Sequence, residues 1–284
     1  MSKVGIVCDS TCDLTPEWLA EHGAHLVPLH VFFGEEGHLD WVDMHPDEFF
    51  RRLAASPTLP TTSQPSPADF EVAYAELVSQ GCTDIVSVHL TAALSGTCES
   101  AILAAATASV PVHVVDTKVT SQALGLIVKR ALELREGGLS AEDIAQDCID
   151  TSRKTRLYFI LDTLDYLVKG GRAGKAAGLA ASLLNIKPIL RFNAEGTIEP
   201  FKKVKGSRKA IIELAEFVAE DSRTNGRMRI TLLHAVAPDL AEELRVALDA
   251  ASADYVLESI GAVGAVIGTY SGPRAVGLGY YPIG

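Results

Sequence analysis

Three short segments of this sequence place hydroxyl side chains where the backbone would present them to a ligand. The first is Leu59-Pro60-Thr61-Thr62-Ser63-Gln64-Pro65-Ser66-Pro67, in which three consecutive hydroxyls lie between prolines. Proline holds its own φ, so such a loop loses little entropy on ordering. Taken alone, the stretch reads better as a linker whose Ser66 caps a helix starting at Pro67. The second is Leu94-Ser95-Gly96-Thr97, just after a strand-like run that ends at Leu90. Ser95 is expected at a helix N-terminus, where free N–H groups and the dipole favour an anion. Gly96 admits a ligand close to the backbone, yet a plain N-cap accounts for the same residues equally well. The third, Tyr270-Ser271-Gly272-Pro273, follows a glycine series from Gly261 to Gly268 that lacks the GxGxxG register. Close packing of a helix on its neighbour explains those glycines more cheaply than a phosphate does.

Catalytic constellations do not emerge beside these segments. No GxSxG elbow surrounds Ser95, and no His–Asp pair is assignable to activate it. The histidines form no HExxH or HxH cluster and the five cysteines no CxxC pair, so neither a metal nor another cofactor is expected. Asp9 and Asp13 read as loop-ordering residues, Asp9 through hydrogen bonds and Asp13 by starting the next helix. The formal net charge of −11 argues against nucleic acid and anionic membrane surfaces as partners. No apolar run approaches the ~20 residues of a membrane span, and Met1-Ser2-Lys3 leads straight into a strand-like run. A cytoplasmic protein without stable membrane insertion is therefore expected. Against this acidic background stand Arg172, in a Gly170-Gly171-Arg172 turn, and the run Lys202, Lys203, Lys205, Arg208, Lys209. A solvated face is the ordinary meaning of such a run, and a docking patch for a phosphate-bearing partner the sharper one.

The elements that must position these groups alternate along the chain. Strand-like runs at Val4–Cys8, His25–Phe33, Ile85–Leu90 and Val112–Val115 are separated by helical patterns near Thr15, Asp47–Ala54, Pro67–Ser79 and Ser95–Ala108. Helical patterns at Gln122–Leu134 and Ala141–Ser152 follow. This βα rhythm predicts a mostly parallel sheet with flanking helices. Beyond residue 153 the texture changes: a strand at Leu157–Leu161, a small-residue helix at Ala173–Leu184, and a hairpin of Ile189–Phe192 with Thr197–Val204. A helix at Ser207–Glu220, strands at Arg229–His234 and Tyr255–Ile260, and a helix at Pro238–Ala250 complete a second α/β domain. The expected domains are 1–153 and 154–284. In open α/β sheets ligands bind beyond the carboxyl ends of the strands, where the hydroxyl segments fall.

In this order, several stretches resemble the DegV family of fatty-acid-binding proteins. They are Asp9-Ser-Thr-Cys-Asp-Leu14, Val27-Pro-Leu29, Leu59 to Ser66, Leu94-Ser-Gly-Thr97, Val114-Val-Asp-Thr-Lys118, Leu161-Asp-Thr-Leu-Asp-Tyr-Leu167 with Gly170-Gly-Arg172, and Ile186-Lys-Pro-Ile-Leu190. The resemblance implies a two-domain DegV-like fold with a long-chain fatty acid such as palmitate at the domain interface. It implies that Thr62 and Ser95 bind the carboxylate with Ser63 as a neighbour, and that Arg172 lies near the head group or a kinase contact. It implies a carrier, not an enzyme, which offers its bound acid to a fatty acid kinase. Where the family commonly has histidine before a Gly-Pro-Gly loop, this chain reads Tyr270-Ser-Gly-Pro-Arg274. Tyrosine still donates a hydrogen bond but stays neutral near pH 7; Arg274 reads as a surface residue. Two other readings compete: a phosphoryl-transfer or hydrolytic enzyme using the Ser95 helix terminus, and a lipid-sensing regulatory module.

Overall fold

The computed structural model of the chain describes residues 3–182 and 186–283. The chain runs through β1 (Val4–Asp9), a 3-10 turn at Ser10–Cys12, α1 (Pro16–Glu21), β2 (Ala24–Val27), β3 (His30–Phe33), β4 (Glu36–Leu39) and α2 (Pro46–Ala55). Next come β5 (Thr61–Ser63), α3 (Pro67–Ser79), β6 (Asp84–His89), α4 (Thr97–Ala105), β7 (Val112–Asp116), α5 (Ser121–Glu136) and α6 (Ala141–Lys154). The second half holds β8 (Arg156–Ile160), α7 (Asp165–Lys169), a 3-10 segment (Gly174–Ser182), β9 (Ile186–Phe192), β10 (Ile198–Lys205) and α8 (Ser207–Asn225). It ends with β11 (Met228–His234), α9 (Pro238–Ala250), β12 (Tyr255–Ala262), α10 (Ala265–Ser271) and β13 (Val276–Pro282).

The fold is mixed α/β, built on a parallel sheet flanked by helices and a further sheet-rich half. In the first sheet the order is β2-β1-β6-β7, with every pairing parallel. All six residues of β1 are buried, as required of a strand covered by helices on both faces. The second sheet, β10-β9-β8-β13-β11-β12, is antiparallel except for the β11–β12 pair, whose crossover is α9. A small antiparallel sheet, β4-β3-β5, stands apart from both. Helix α5 packs on β1 and β6 of the first sheet and on β11 and β13 of the second, and Ser121 to Val128 are all buried. Its approach to β13 is close, because a Cβ on Gly279 would lie 2.7 Å from Ala123 Cβ. One helix thus carries core to both sheets.

Several expectations are corrected. The run His25–Phe33 is two strands in different sheets, divided at Pro28, which has no N–H for a ladder. Thr61–Ser63, expected as loop, pairs antiparallel with His30–Phe32 as an edge strand; the prolines sit outside it and its threonines suit a strand. The helix expected from Ser95 begins at Thr97 with Gly96 as its N-cap residue. The stretch Gly174–Ser182 forms 3-10 helix where an α-helix to Leu184 was expected, and Leu184 lies outside the described residues. Asp13 does not start α1; Thr15 caps that helix by accepting from Trp18 N. A whole central strand, β13, carries three of its residues as Gly277, Gly279 and Pro282 and has no alternating pattern to reveal it.

Candidate functional site

Between the carboxyl edge of the parallel sheet and the second sheet lies a cavity of about 510 Å³. Leu90, Phe159, Leu161, Phe192, Leu233 and Val266 are among the side chains that make it predominantly apolar. Polar groups gather from four elements: Thr62 and Ser63 on β5, Ser95 in the β6–α4 loop, Tyr270 on α10, and Arg172 after α7. Arg172 is the one charged side chain among the described lining residues.

These groups form a closed chain of contacts. Thr62 Oγ1 lies 2.5 Å from Tyr270 OH. The Arg172 guanidinium stacks 5.1 Å from the centre of the Tyr270 ring, and it donates to the carbonyls of Gly170 (3.0 Å) and Leu94 (3.4 Å). Leu94 leads to Ser95, whose Oγ accepts from Thr97 N at 3.3 Å and lies 2.9 Å from Thr97 Oγ1. Gln64 returns the chain to β5: its Oε1 accepts from Gly96 N at 3.1 Å, and its Nε2 donates to Ser100 Oγ at 3.5 Å. Gly96 has to be glycine for this bridge, since a Cβ there would lie 2.4 Å from Gln64 Nε2. Gly170 is equally constrained, because its Cβ would lie 2.5 Å from the Tyr270 ring. Ser63 is exposed and donates to Gln64 O. Arg274 stands outside the lining and pairs with Asp239 at 2.8 Å.

Thr62 and Tyr270 share one hydrogen bond between two hydroxyls. One proton is used in it, so the other is available to a ligand oxygen. Together with the Arg172 guanidinium, which enters no ion pair among the described residues, the arrangement suits an anionic head group on an apolar body. A buried carboxylate needs such donors, because an unpaired charge in an apolar surrounding is costly.

Two buried carboxyls that sequence reasoning missed or misassigned hold Tyr270's helix in place. Asp40 Oδ1 accepts from Ala265 N at 2.7 Å and its Oδ2 from Ser10 Oγ at 2.8 Å. Asp13 Oδ1 accepts from Gly264 N (2.8 Å) and Trp41 Nε1 (3.2 Å), and its Oδ2 from Ser121 Oγ (2.5 Å). Burial pushes Asp13 up to about 8 despite the Ser121 donor, and Asp40 up to about 7 despite Ser10. The glycines beside them serve packing: a Cβ on Gly264 would meet Trp41 Nε1 at 2.3 Å, and one on Gly268 would meet Phe49 at 2.6 Å.

A His–Asp pair does exist, but it serves another serine. His89 Nδ1 lies 3.0 Å from Asp9 Oδ2, and its Nε2 lies 2.6 Å from Ser87 Oγ. Ser87, His89 and Asp9 have no exposure, and Ser87 Oγ also accepts from Tyr74 OH at 3.0 Å. This network is sealed in the parallel sheet, where it satisfies buried polar groups. Asp9 further accepts from Leu90 N and Thr11 N, tying the strand ends together. Among the described residues, no group of three or more His, Cys, Asp or Glu is placed to hold a metal ion.

With this geometry in view, the family model described as "Uncharacterised protein, DegV family" matches residues 3–283. The chain belongs to the DegV family. It is 39% identical over 283 residues to a DegV domain-containing protein of Deinococcus radiodurans, covering 99% of each chain. A DegV family protein of Thermus thermophilus, described for its fatty acid binding, superposes with a TM-score of 0.92 at 34% identity, over 99% of this chain and 100% of that one. The stearic-acid-binding protein of Eubacterium ventriosum superposes with a TM-score of 0.86 at 28% identity, over 99% of this chain and 98% of that one. The DegV fold therefore extends over the whole described chain, with the cavity between its parallel sheet and its six-stranded sheet. Among the described residues, no helix is long and apolar enough to cross a membrane.

Proposed function

We propose that this DegV protein binds a long-chain fatty acid between domains 1–153 and 154–284 and presents its carboxylate to a partner fatty acid kinase in the cytoplasm. The observation that carries the reading is an apolar cavity whose described lining holds one charge, the Arg172 cation, engaged by main-chain carbonyls and an aromatic ring instead of an acid. The acyl body lies along the leucines and phenylalanines. Thr62 and Ser95 donate to the carboxylate, with Ser63 beside them and Tyr270 and Arg172 closing the ring. Similar structures described for fatty acid and stearic acid binding support the ligand class.

Magnitudes divide the work between tail and head. Burying about fourteen methylenes at ~0.8 kcal/mol each is worth at most roughly 11 kcal/mol, less the ordering costs. Hydrogen bonds to a charged group add ~1.5–3 kcal/mol each. The tail thus supplies the largest single share of the affinity, while the head-group donors add to it and fix the orientation. The protein acts as a carrier: Ser95 has no base within reach among its hydrogen-bond partners, and the His89–Asp9 pair faces Ser87.

Native mass spectrometry of the delipidated protein after incubation with hexadecanoate tests the reading. One bound acyl chain per protein is expected. Failure to take up any acyl chain overturns it, and turnover of ATP or an acyl phosphate by the isolated protein overturns the carrier role.

A further inference from the structure

Helices α3 and α4 have unusual outer faces. A surface helix ordinarily turns charged residues of both signs to water. On α3 the exposed stripe at i, i+3, i+4 and i+7 is Ala68, Glu71, Val72, Ala75, and on α4 it is Glu99, Ile102, Leu103, Ala106. Val72, Ile102 and Leu103 are 59%, 57% and 55% exposed. The two helices are neighbours, joined by Tyr74 OH to Ala101 O and by Thr107 Oγ1 to Glu71. Between them runs a groove of about 370 Å³ lined by Glu71, Ala75, Val78, Ala104, Thr107 and Ala108. Beside Tyr74, the small Ala75, Ala104 and Ala108 leave room for a larger side chain from outside.

The charged residues that these two helices carry have one sign: Asp69, Glu71 and Glu76 on α3 and Glu99 on α4, whereas Asp116, beyond them, pairs with Lys118. From Arg52 to Lys118 the sequence contains no lysine or arginine in between, but six carboxylates: Asp69, Glu71, Glu76, Asp84, Glu99 and Asp116. Among the described residues, Asp69, Glu71 and Glu99 enter no ion pair, while Glu76 faces His25 at 3.8 Å. Lys3 approaches only the far end of α3, at Gln80 O. Other exposed apolar side chains are set differently. Val246 on α9 is 50% exposed but sits beside Arg245, which is paired with Glu242 and Asp249.

We propose that the outer face of α3 and α4 is a docking site for a basic amphipathic helix of a protein partner, laid across the two helices with its apolar side against the exposed Val72, Ile102 and Leu103. Charge complementarity selects this occupant. Carboxylates without counter-ions attract Lys and Arg flanks and repel anionic lipid and nucleic acid, and a helix in a groove is a recurrent recognition mode. Ser66, which caps α3, and Ser95, in the loop before α4, line the ligand cavity, whereas the groove lies toward the C-terminal end of α4 and shares no lining residue with that cavity. The proposal does not depend on which molecule the cavity holds.

The test uses the full chain and a fluorescent 14-residue Leu/Lys amphipathic peptide as probe, followed by anisotropy at two salt concentrations. Saturable 1:1 binding is expected, weakened at higher salt and at least tenfold by I102K/L103K, with V246K as the unchanged control. Hydrogen exchange should slow across residues 67–79 and 97–109 on binding. Should I102K/L103K not fold, Glu71→Gln with Glu99→Gln removes charge alone and should lower both affinity and salt dependence. Binding that is absent, or equal in all variants, overturns the proposal. So does concentration-dependent self-association abolished by I102K/L103K, which would assign the face to a second copy of this chain.

Discussion

Replacing Tyr270 by phenylalanine separates the head-group contribution from everything else the residue does. The ring remains, so its packing on Gly170 and its stacking with Arg172 persist. Only the hydroxyl goes, and with it the 2.5 Å contact to Thr62 Oγ1. If the free proton of that pair serves a carboxylate, its loss costs ~1.5–3 kcal/mol, or roughly 10- to 150-fold in Kd. Thr62→Ala breaks the same unit from the other side. The double variant should therefore lose less than the sum of the singles, by about 0.5–3 kcal/mol. Calorimetric titration of delipidated protein with hexadecanoate reads these values. The methyl ester of the same acid serves as control, since its head group carries no charge and its affinity should move little. Equal losses for acid and ester, or strictly additive effects, would refute the idea that Thr62 and Tyr270 hold the carboxylate as a pair.

Arg172→Met keeps an unbranched apolar stem but removes the guanidinium and its charge, and it should weaken hexadecanoate binding while flattening the salt dependence of Kd. Unchanged salt dependence in the titrations would remove Arg172 from the head-group site. Gly96→Ala sets a methyl group against the Gln64 amide; because that amide can swing, a stability loss at or below the ~1–3 kcal/mol of overpacking is expected, with a larger proportional loss of acyl affinity as the two hydroxyl loops separate. Thermal melting and ligand titration on the same variant decide between the two effects. Asp13 and Asp40 are raised by burial to about 8 and about 7, above the ~4 of an unfolded carboxyl. The folded chain then binds more protons at these two groups than the unfolded one between those values, so their contribution to stability is full below about pH 4, is lost as pH rises through 7–8, and is constant above that. Melting temperature should decline from pH 5 to 8 and level off above, and Asp13→Asn should flatten the upper part of that decline; a curve that rises from pH 5 to 8 contradicts the assignment.

Much of the fold could be read from local pattern. The βα rhythm of the first half and the Ser66 cap of α3 reflect interactions within a few residues of one another. Glycine-rich β13 was illegible, because its glycines answer to Phe159 and Ala123, which are distant in sequence. The short strand Thr61–Ser63 was hidden for a related reason. Its ladder partner is His30–Phe32, and the neighbouring prolines mask its own propensity.

The candidate site divides along the same line. Residue types alone determined that hydroxyls cluster in the segments around Thr62 and Ser95, that a lone arginine stands in a glycine turn, and that the chain is acidic with a large apolar fraction. Only the tertiary structure decided that these segments meet. Thr62 finds Tyr270 across 208 residues, Arg172 reaches Leu94 across 78, and Asp13 receives Gly264 N across 251. Local propensity extends over a turn or two of chain, whereas such meetings depend on how α5 and the two sheets bury their shared apolar surface. Gln64 shows the difference within one motif: its place in the sequence was visible, but its role as the bridge to Gly96 required the second loop to be brought against it.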